Sequence, residues 1–312
     1  MKVVDIISFN EKNDCDQSQS RSGCVALVGA TNAGKSTLVN RFVGAKVSIV
    51  THKVQTTRWI VRGIVSDQNT QVVFLDTPGI FDAKDTYHKL MINSSWSTVK
   101  HADIVCLVVD SYRGLKPDVY ALFNKICKHS SRLILILNKI DCVKPEYLLE
   151  QAKIANELMS VEKTFMISAT KGHGCKDVLH YLSSTLPLGP WIYPSDQISD
   201  LPMFRFAAEI TREKLFLRLH KEIPYSSYVE TERWEERKDG SVLIRQVIYV
   251  ERMTQKKIVL SKQGQIIKAI SLESRQEIAQ IIEKPVHVFI FVKVQKNWSH
   301  RPESFLHAGI EL

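Results

Sequence analysis

The chain has 312 residues, of which 44% are hydrophobic, and this length is enough for two domains with buried cores. Its net charge of +9 favours an acidic partner, such as nucleic acid or an anionic membrane surface. No stretch approaches the roughly 18 apolar residues of a membrane-spanning helix, and the cysteines and histidines show no metal-ligand spacing, so we expect reduced thiols of a cytosolic protein and no zinc site.

Residues 1–21 are expected to form a flexible tail. An apolar run at 24–28 then predicts a strand, and the residues from 37 onward predict a helix. The loop between them reads Gly29, Ala30, Thr31, Asn32, Ala33, Gly34, Lys35 and Ser36, and Thr37 follows. Its two glycines let the backbone wrap round phosphate groups, and the start of the helix supplies unpaired N–H groups. In such a loop Lys35 reaches the terminal phosphates and the Ser36 hydroxyl binds Mg²⁺.

A polar, positively charged stretch at 51–58 is expected to be an exposed loop. Two β-rich runs follow, at 59–65 and 71–75, and the polar residues 67–69 between them predict a hairpin. The second run ends in Asp76, Thr77, Pro78 and Gly79. Asp76 is expected to hold Mg²⁺ through a water molecule, and the Gly79 N–H to meet the γ-phosphate.

Apolar strands then alternate with helices up to residue 186. The predicted strands are 104–110, 133–137 and 164–168, and the predicted helices lie near 118–128, 146–158 and 176–186. This alternation is typical of a parallel sheet covered on both faces, which binds its ligand at the carboxyl ends of the strands. The candidate ligand groups follow strand ends, as that arrangement requires.

The base-binding residues are predicted after the last two of these strands. Asp141 can accept both the N1–H and the 2-amino hydrogens of guanine, the Lys139 stem can cover the base, and Asn138 can tie loops together. The loop of Ser168 and Ala169 can offer a backbone N–H to the guanine carbonyl. Because a site built for specific hydrogen bonds can reject an analogue lacking them by about 10⁴–10⁵, the combination favours GTP over ATP.

Together these elements resemble the Ras-like class of GTPases. In that class a threonine completes Mg²⁺ coordination when the γ-phosphate is present; Thr57 is our choice here, with Thr56 as the alternative. Ile80 stands where many members carry a water-orienting glutamine. We therefore expect slow hydrolysis that depends on Lys35, Thr57, Gly79 and Ile80, assisted by a K⁺ ion near Asn32 or by an external arginine.

Residues 187–202 contain four prolines and predict a linker after a GTPase domain at 22–186. From 203 to 312 the predicted order is helix, two strands, helix and strand, a smaller α+β domain. Its segment 256–268 joins two apolar pieces through a basic loop that resembles the RNA-binding loop of a KH domain. Ser261 stands where the KH pattern has its first glycine. The predicted RNA-binding residues are Lys256, Lys257, Ser261, Lys262, Gln263, Gly264 and Lys268.

The whole chain resembles the Era family of bacterial GTPases, on segments that include 55–58, 206–214, 222–226 and 284–287. The resemblance implies a Ras-like P-loop domain followed by a type II KH domain. It also implies binding to small-subunit (16S) ribosomal RNA, a role in 30S assembly, and loose association of a cytoplasmic protein with the inner membrane. We expect a monomer. The alternatives are an RNA-binding scaffold whose GTP site does not turn over, and a membrane-associated signalling GTPase.

Overall fold

The computed structural model describes residues 20–54, 56–79, 86–130, 132–220 and 222–296, with the side chains of 86–90 and 94 excepted. The residues on which the tail and Ile80 predictions fall, 1–19 and 80, lie outside these ranges. The chain divides into two compact units, the first ending at Asp200 and the second beginning at Leu201. Among the described helices, none combines the length and the apolar character needed to span a bilayer.

The first unit is a six-stranded sheet between helices. Its strand order is β2-β3-β1-β4-β5-β6, and every neighbouring pair is parallel except β2 with β3. The elements are β1 (Arg21–Val28), α1 (Lys35–Val43), β2 (Val61–Asp67), β3 (Thr70–Asp76), α2 (Thr86–His101), β4 (Ile104–Asp110), α3 (Pro117–Ile126), β5 (Leu133–Asn138), α4 (Pro145–Leu158), β6 (Lys163–Met166) and α5 (Cys175–Thr185). The predicted mostly parallel sheet and the hairpin are confirmed. Helix α2 was not predicted, because its many serines, threonines and asparagine favour helix interiors weakly.

Both faces of this sheet are buried. On β1, Val25 and Leu27 face a core that includes side chains of α1 and α5, whereas Ala26 and Val28 face a second core with side chains of α2, α3 and α4. Cys106 on β4 is fully buried in the first core. Strands buried on both sides explain why the sequence shows continuous apolar runs here instead of alternation.

The proline-rich stretch after α5 is bonded to the sheet. Gln71 on β3 is fully buried, and its Oε1 accepts the N–H groups of Ile192 and Tyr193, both at 2.9 Å. Its Nε2 donates to the Tyr193 carbonyl at 2.8 Å and to Ser66 Oγ at 3.1 Å. This one side chain therefore clamps the middle of the predicted linker.

The end of the same stretch runs along the edge of β2 that does not pair with β3. The Ile64 N–H donates to the Ile198 carbonyl at 2.9 Å, and Arg62 pairs with Asp200 at 2.6 Å. Residues 187–200 therefore belong to the first unit, and the predicted linker of 187–202 shrinks to its last residues. The predicted tail also ends early, because Arg21 already lies in β1 and donates to the Leu186 carbonyl.

Within the described part of the second unit, three helices pack on a three-stranded sheet of order β7-β8-β9. Strands β7 and β8 are antiparallel, and β8 and β9 are parallel. The elements are α6 (Met203–Arg218), β7 (Ser227–Glu236), β8 (Val242–Val250), α7 (Met253–Leu260), α8 (Gln265–Ile282) and β9 (Val286–Val294). The α-β-β-α-α-β order confirms the predicted α+β fold of the KH type. The predicted order counted one helix before the last strand, where the structure has two, α7 and α8. The separate expectation that the basic loop joins two helical pieces is confirmed.

Replacing Gln71 by alanine should destabilise the first unit. It leaves two partly buried N–H groups and a carbonyl without their partner, at a cost of about 2 kcal/mol. For a unit of this size, that corresponds to a fall of about 4–8 °C in the calorimetric transition that guanine nucleotide stabilises. Gln68→Ala, the same change in the exposed β2–β3 turn, is the control and should shift the transition little. Equal shifts for the two variants would contradict the clamp.

Candidate nucleotide and RNA sites

The loop between β1 and α1 can be built only with glycine at two positions. A Cβ on Gly29 would lie 2.3 Å from the Val108 carbonyl oxygen, and one on Gly34 would lie 2.2 Å from Asn138 Nδ2. Gly34 also has a φ of 99°, in the left-handed region. Gly79 approaches the loop from the other side, since a Cβ there would meet Thr31 atoms at 2.8–3.0 Å. The backbone therefore closes tightly around a small space at the start of α1.

Lys35 occupies the centre of this loop. Its Nζ donates to the carbonyls of Gly29 and Ala30, both at 3.0 Å, and the side chain is 6% exposed. Burial lowers the pKa of Lys35 to about 8, although the nearby Asp76 carboxylate opposes the shift. The ammonium is held where phosphate oxygens would replace the two carbonyls.

Three oxygen-bearing side chains meet beside Lys35. Ser36 Oγ lies 2.9 Å from Thr57 Oγ1, which lies 3.5 Å from Asp76 Oδ2. Ser48, which the sequence reasoning missed, donates to the same Asp76 oxygen at 2.8 Å. Burial raises the pKa of the fully buried Asp76 carboxyl, and its Oδ1 has no hydrogen-bond partner among the described residues. Hydroxyl groups beside a buried carboxylate that has one unbonded oxygen are oxygen ligands of the kind that Mg²⁺ prefers.

The geometry separates the two candidate threonines. The Thr56 hydroxyl donates to the Lys53 carbonyl at 2.9 Å and lies 2.7 Å from Thr51 Oγ1, so it bonds within its own loop. The Thr57 hydroxyl instead faces Ser36 and Asp76. Arg58 corrects the expectation of an exposed loop over 51–58, because its side chain is buried.

Asn138 joins the loops around the base site. Its Nδ2 donates to the Ala33 carbonyl at 2.8 Å, and its Oδ1 accepts the N–H groups of Lys139 at 2.8 Å and Ala169 at 3.0 Å. A guanine carbonyl at the predicted position would therefore share the Ala169 N–H with Asn138. Arg41 of α1, also missed, donates to the carbonyls of Ala169 and Thr170.

The other predicted base contacts lie at the same edge of the sheet. Asp141 is exposed in a short helical turn after β5, and a hydrogen bond from Ser168 is the main cause that lowers its pKa.

Among the residues predicted near the phosphates, Thr77 makes a structural bond, since its Oγ1 donates to the Leu27 carbonyl at 2.7 Å. Pro78 is buried, and Thr37 lies in the first turn of α1. Asn32 Nδ2 donates to the His52 carbonyl at 2.9 Å, which connects the phosphate loop to the 51–58 loop.

The basic loop of the second unit separates α7 from α8. Ser261, Gln263 and Gly264 have φ values of 59°, 56° and 73°, so the chain turns sharply over four residues. Ser261 Oγ accepts the Ile266 N–H at 2.9 Å, in the first turn of α8. The remaining predicted RNA contacts flank this turn: Lys256 and Lys257 on α7, Lys262 in the turn and Lys268 on α8.

A groove of about 340 Å³ lies beside this loop. Its lining residues come from α8 and from β9, an edge strand of the sheet: Lys268, Ser271, Leu272, Arg275, His287, Val288 and Phe289. Leu272 is 47% exposed and Phe289 is 51% exposed. The sequence reasoning found Lys268 but missed Arg275, His287 and Phe289. The pattern of β9, where exposed His287, Phe289 and Phe291 alternate with more deeply buried aliphatic residues, was the signal that could have revealed them.

Known proteins match both units. Residues 24–139 match a family described as 50S ribosome-binding GTPases, and residues 222–299 match a KH domain family. The GTPase Era of Agrobacterium fabrum is 61% identical over 292 residues, which span 94% of this chain and 92% of that protein. The GTPase Era of Rhizobium meliloti is 56% identical over 310 residues, which span 99% of each.

Two solved structures of Era share the fold over 94% of this chain and 100% of theirs, each with 33% identity and a TM-score of 0.89. One is a variant from Aquifex aeolicus with GDP and AlF₄⁻, and the other holds MgGDPNP and nucleotides 1506–1542 of 16S ribosomal RNA. Fold, phosphate loop and base loops define a P-loop GTPase, which binds guanine nucleotide with Mg²⁺ and hydrolyses GTP, followed by a KH domain. At the identities found, the chain belongs to the Era family of GTPases.

GDP binding should take up protons at alkaline pH. With a pKa of about 8, half of the Lys35 side chains are neutral at pH 8, and bound phosphates favour the ammonium. We expect an uptake of about 0.5 proton at pH 8 and about 0.1 at pH 7, with affinity falling as the pH rises above 8. Calorimetry in buffers of different ionisation enthalpy measures this uptake, without Mg²⁺ so that Asp76 does not contribute. Lys35→Arg keeps the positive charge on a guanidinium that stays protonated at these pH values, so at GDP concentrations that saturate the variant its uptake should be absent. No uptake by the unmodified protein at pH 8 would contradict the assignment.

Proposed function

We propose that this GTPase is a switch that binds small-subunit ribosomal RNA and assists assembly of the 30S subunit. The observation that carries the proposal is the presence, in one chain, of phosphate and base loops gathered at one sheet edge and a KH unit with a basic loop beside an open groove. The solved Era with MgGDPNP and a 16S fragment supports the choice of the small subunit. GTP binding and hydrolysis would then time the contact with RNA.

In the nucleotide site, Lys35 would hold the terminal phosphates, and the hydroxyls of Ser36 and Thr57 would bind Mg²⁺. Asp76 would act through a water molecule, and the Gly79 N–H would meet the γ-phosphate. Mg²⁺, when bound, neutralises charge that develops on the phosphate oxygens. Because the loops that carry Thr57 and Gly79 would contact the nucleotide through Mg²⁺ and the γ-phosphate, loss of that phosphate would release both loops.

Turnover is proposed to be slow, because a hydrophobic residue at position 80 cannot orient a water molecule. The link between Asn32 and the His52 carbonyl places an amide beside the phosphate loop, where a K⁺ ion could supply positive charge instead. Lys35 and Thr57 would contribute to catalysis by holding the phosphates and the metal.

The intrinsic GTPase rate should be slow and should rise about tenfold or more when K⁺ replaces Na⁺, as expected for added positive charge at the transferring phosphate. Asn32→Ala should remove most of the K⁺ effect while retaining GDP affinity within a few-fold. Phosphate release is measured under single-turnover conditions in matched chloride salts. A fast rate that is equal in both salts would contradict the proposal.

For RNA, the exposed Lys262 and Lys268 would neutralise backbone phosphates, and the groove between α8 and β9 would take unpaired bases. Phe289 offers an exposed ring on which a base can stack, and Arg275 adds charge at the groove wall. The β-carbon of Ser261 limits how closely the backbone of this loop can approach RNA, so lysines and the groove would carry more of the affinity.

Changing Lys262→Glu together with Gly264→Asp should weaken binding to a 16S 3′-end RNA by about 10–100-fold and should reduce the dependence of affinity on salt. The chain offers a matched control in Lys238→Glu with Gly240→Asp, which makes the same two changes at the same spacing in the β7–β8 turn. Fluorescence anisotropy at two salt concentrations gives both readouts. Equal losses for the loop and control variants would reject the loop as the RNA site.

The same assay separates the alternatives. A scaffold with a structural GTP site would bind RNA equally with GDP and with a GTP analogue, and RNA would not change single-turnover hydrolysis. A membrane-associated signalling GTPase would release RNA to anionic vesicles, for which the net charge of +9 is the supporting observation. We infer a cytoplasmic monomer with at most a peripheral contact with the inner membrane, and the unpaired thiols of the described cysteines support a reducing compartment.

A further inference from the structure

Lys139, which is predicted to cover the base, forms an ion pair with Asp110. Asp110 has no role assigned so far. The Lys139 Nζ lies 2.6 Å from Asp110 Oδ2, with the Lys139 side chain 32% exposed and the Asp110 side chain 13% exposed. The other carboxylate oxygen, Oδ1, accepts the Tyr112 N–H at 3.0 Å. Both oxygens of Asp110 are therefore bonded, which fixes the carboxylate as well as the ammonium.

The fold places these residues side by side. Asp110 is the last residue of β4, and it pairs in register with Asn138, the last residue of β5. Lys139 follows with a φ of 65°, a left-handed conformation that is rare for residues other than glycine, asparagine and aspartate. This backbone turns the Lys139 side chain back across the end of β4 instead of letting it continue along the chain. The unusual conformation and the ion pair therefore act on the same side chain.

We propose that Asp110 is a positioning residue of the guanine site. By anchoring the ammonium, it holds the four-carbon stem of Lys139 across the place where the base lies, between the strand end and the loop that carries Asp141. The stem then presents its apolar side to the face of the base without an entropy cost for ordering a long side chain on binding. The inference rests on the proposed role of Lys139 as the residue that covers guanine.

The charge on Asp110 is needed in this arrangement. An exposed lysine that searched many rotamers would cover the base for only part of the time. A carboxylate that is 13% exposed and already bonded to a backbone N–H offers a fixed partner, and such an ion pair is screened less by salt than one between fully exposed side chains. Asp110 does not need to touch the nucleotide to affect its affinity.

The test is calorimetric titration of Asp110→Asn with GDP and with a non-hydrolysable GTP analogue. We expect Kd to rise by about 3–10-fold, equally for both nucleotides because they share the base, and KM for GTP to rise while kcat at saturation is unchanged. Asp110→Glu should recover most of the affinity. Asp67→Asn, which removes the same charge from the exposed last residue of β2, is the matched control and should leave Kd unchanged.

A double-mutant cycle separates positioning from a general loss of stability. Lys139→Met keeps an apolar stem and removes the ammonium, so adding Asp110→Asn to it should cause no further loss. Additive losses, or an unchanged Kd in Asp110→Asn when Lys139→Ala weakens binding, would overturn the proposal. If Lys139→Ala leaves GDP affinity unchanged while Lys35→Met abolishes it, the base-covering role fails and the inference with it, although the phosphate site stands.

Discussion

The GTPase unit depends on the amide of Asn138. Its donor and its acceptor are both used, on the carbonyl of Ala33 and on the N–H groups of Lys139 and Ala169. The phosphate loop and the two base loops, which are far apart in the sequence, therefore share one buried side chain. Gly34 completes the constraint, because any β-carbon there would collide with that amide. Phosphate and base recognition are coupled before any ligand arrives, which is the preorganisation that a selective nucleotide site requires.

Ser261 shows how the second unit accommodates a departure from the KH pattern. A serine with φ 59° and ψ 178° lies in a region that is nearly restricted to glycine, at a cost of about 1–3 kcal/mol. The Ser261 hydroxyl offsets part of that cost because it accepts the Ile266 N–H, one of the otherwise unpaired donors of the first turn of α8. Glycine could not make this bond. Serine in place of the KH glycine therefore strains the backbone of the RNA loop, and in return its hydroxyl caps helix α8.

The sequence predicted those parts of the fold and site in which local pattern and chemistry coincide. The phosphate loop, the strand ends that carry Asp76 and Asn138, and the basic loop all follow from residue types at short spacing. The choice between Thr56 and Thr57 could not be predicted, because adjacent hydroxyls in an irregular loop point in directions that only tertiary contacts set. Gln71 and Asp110 were missed for a related reason. Their partners lie 121–122 and 29 residues away, and a single polar residue at a strand end or within a strand has no periodic signal.

The hydrogen bonds that hold residues 187–200 to the sheet determine where the protein can be divided. Proline-rich composition usually marks a place where a chain can be cut, lengthened or used to join fragments. Here a cut at residue 187 would expose the edge of β2 and leave the buried Gln71 amide without its partners at 192 and 193. An isolated GTPase half should therefore run through Asp200, and a peptide inserted within 191–199 would compete with hydrogen bonds to the sheet instead of extending into solvent. Within this stretch, the permissive position lies between Asp200 and the start of α6 at Met203.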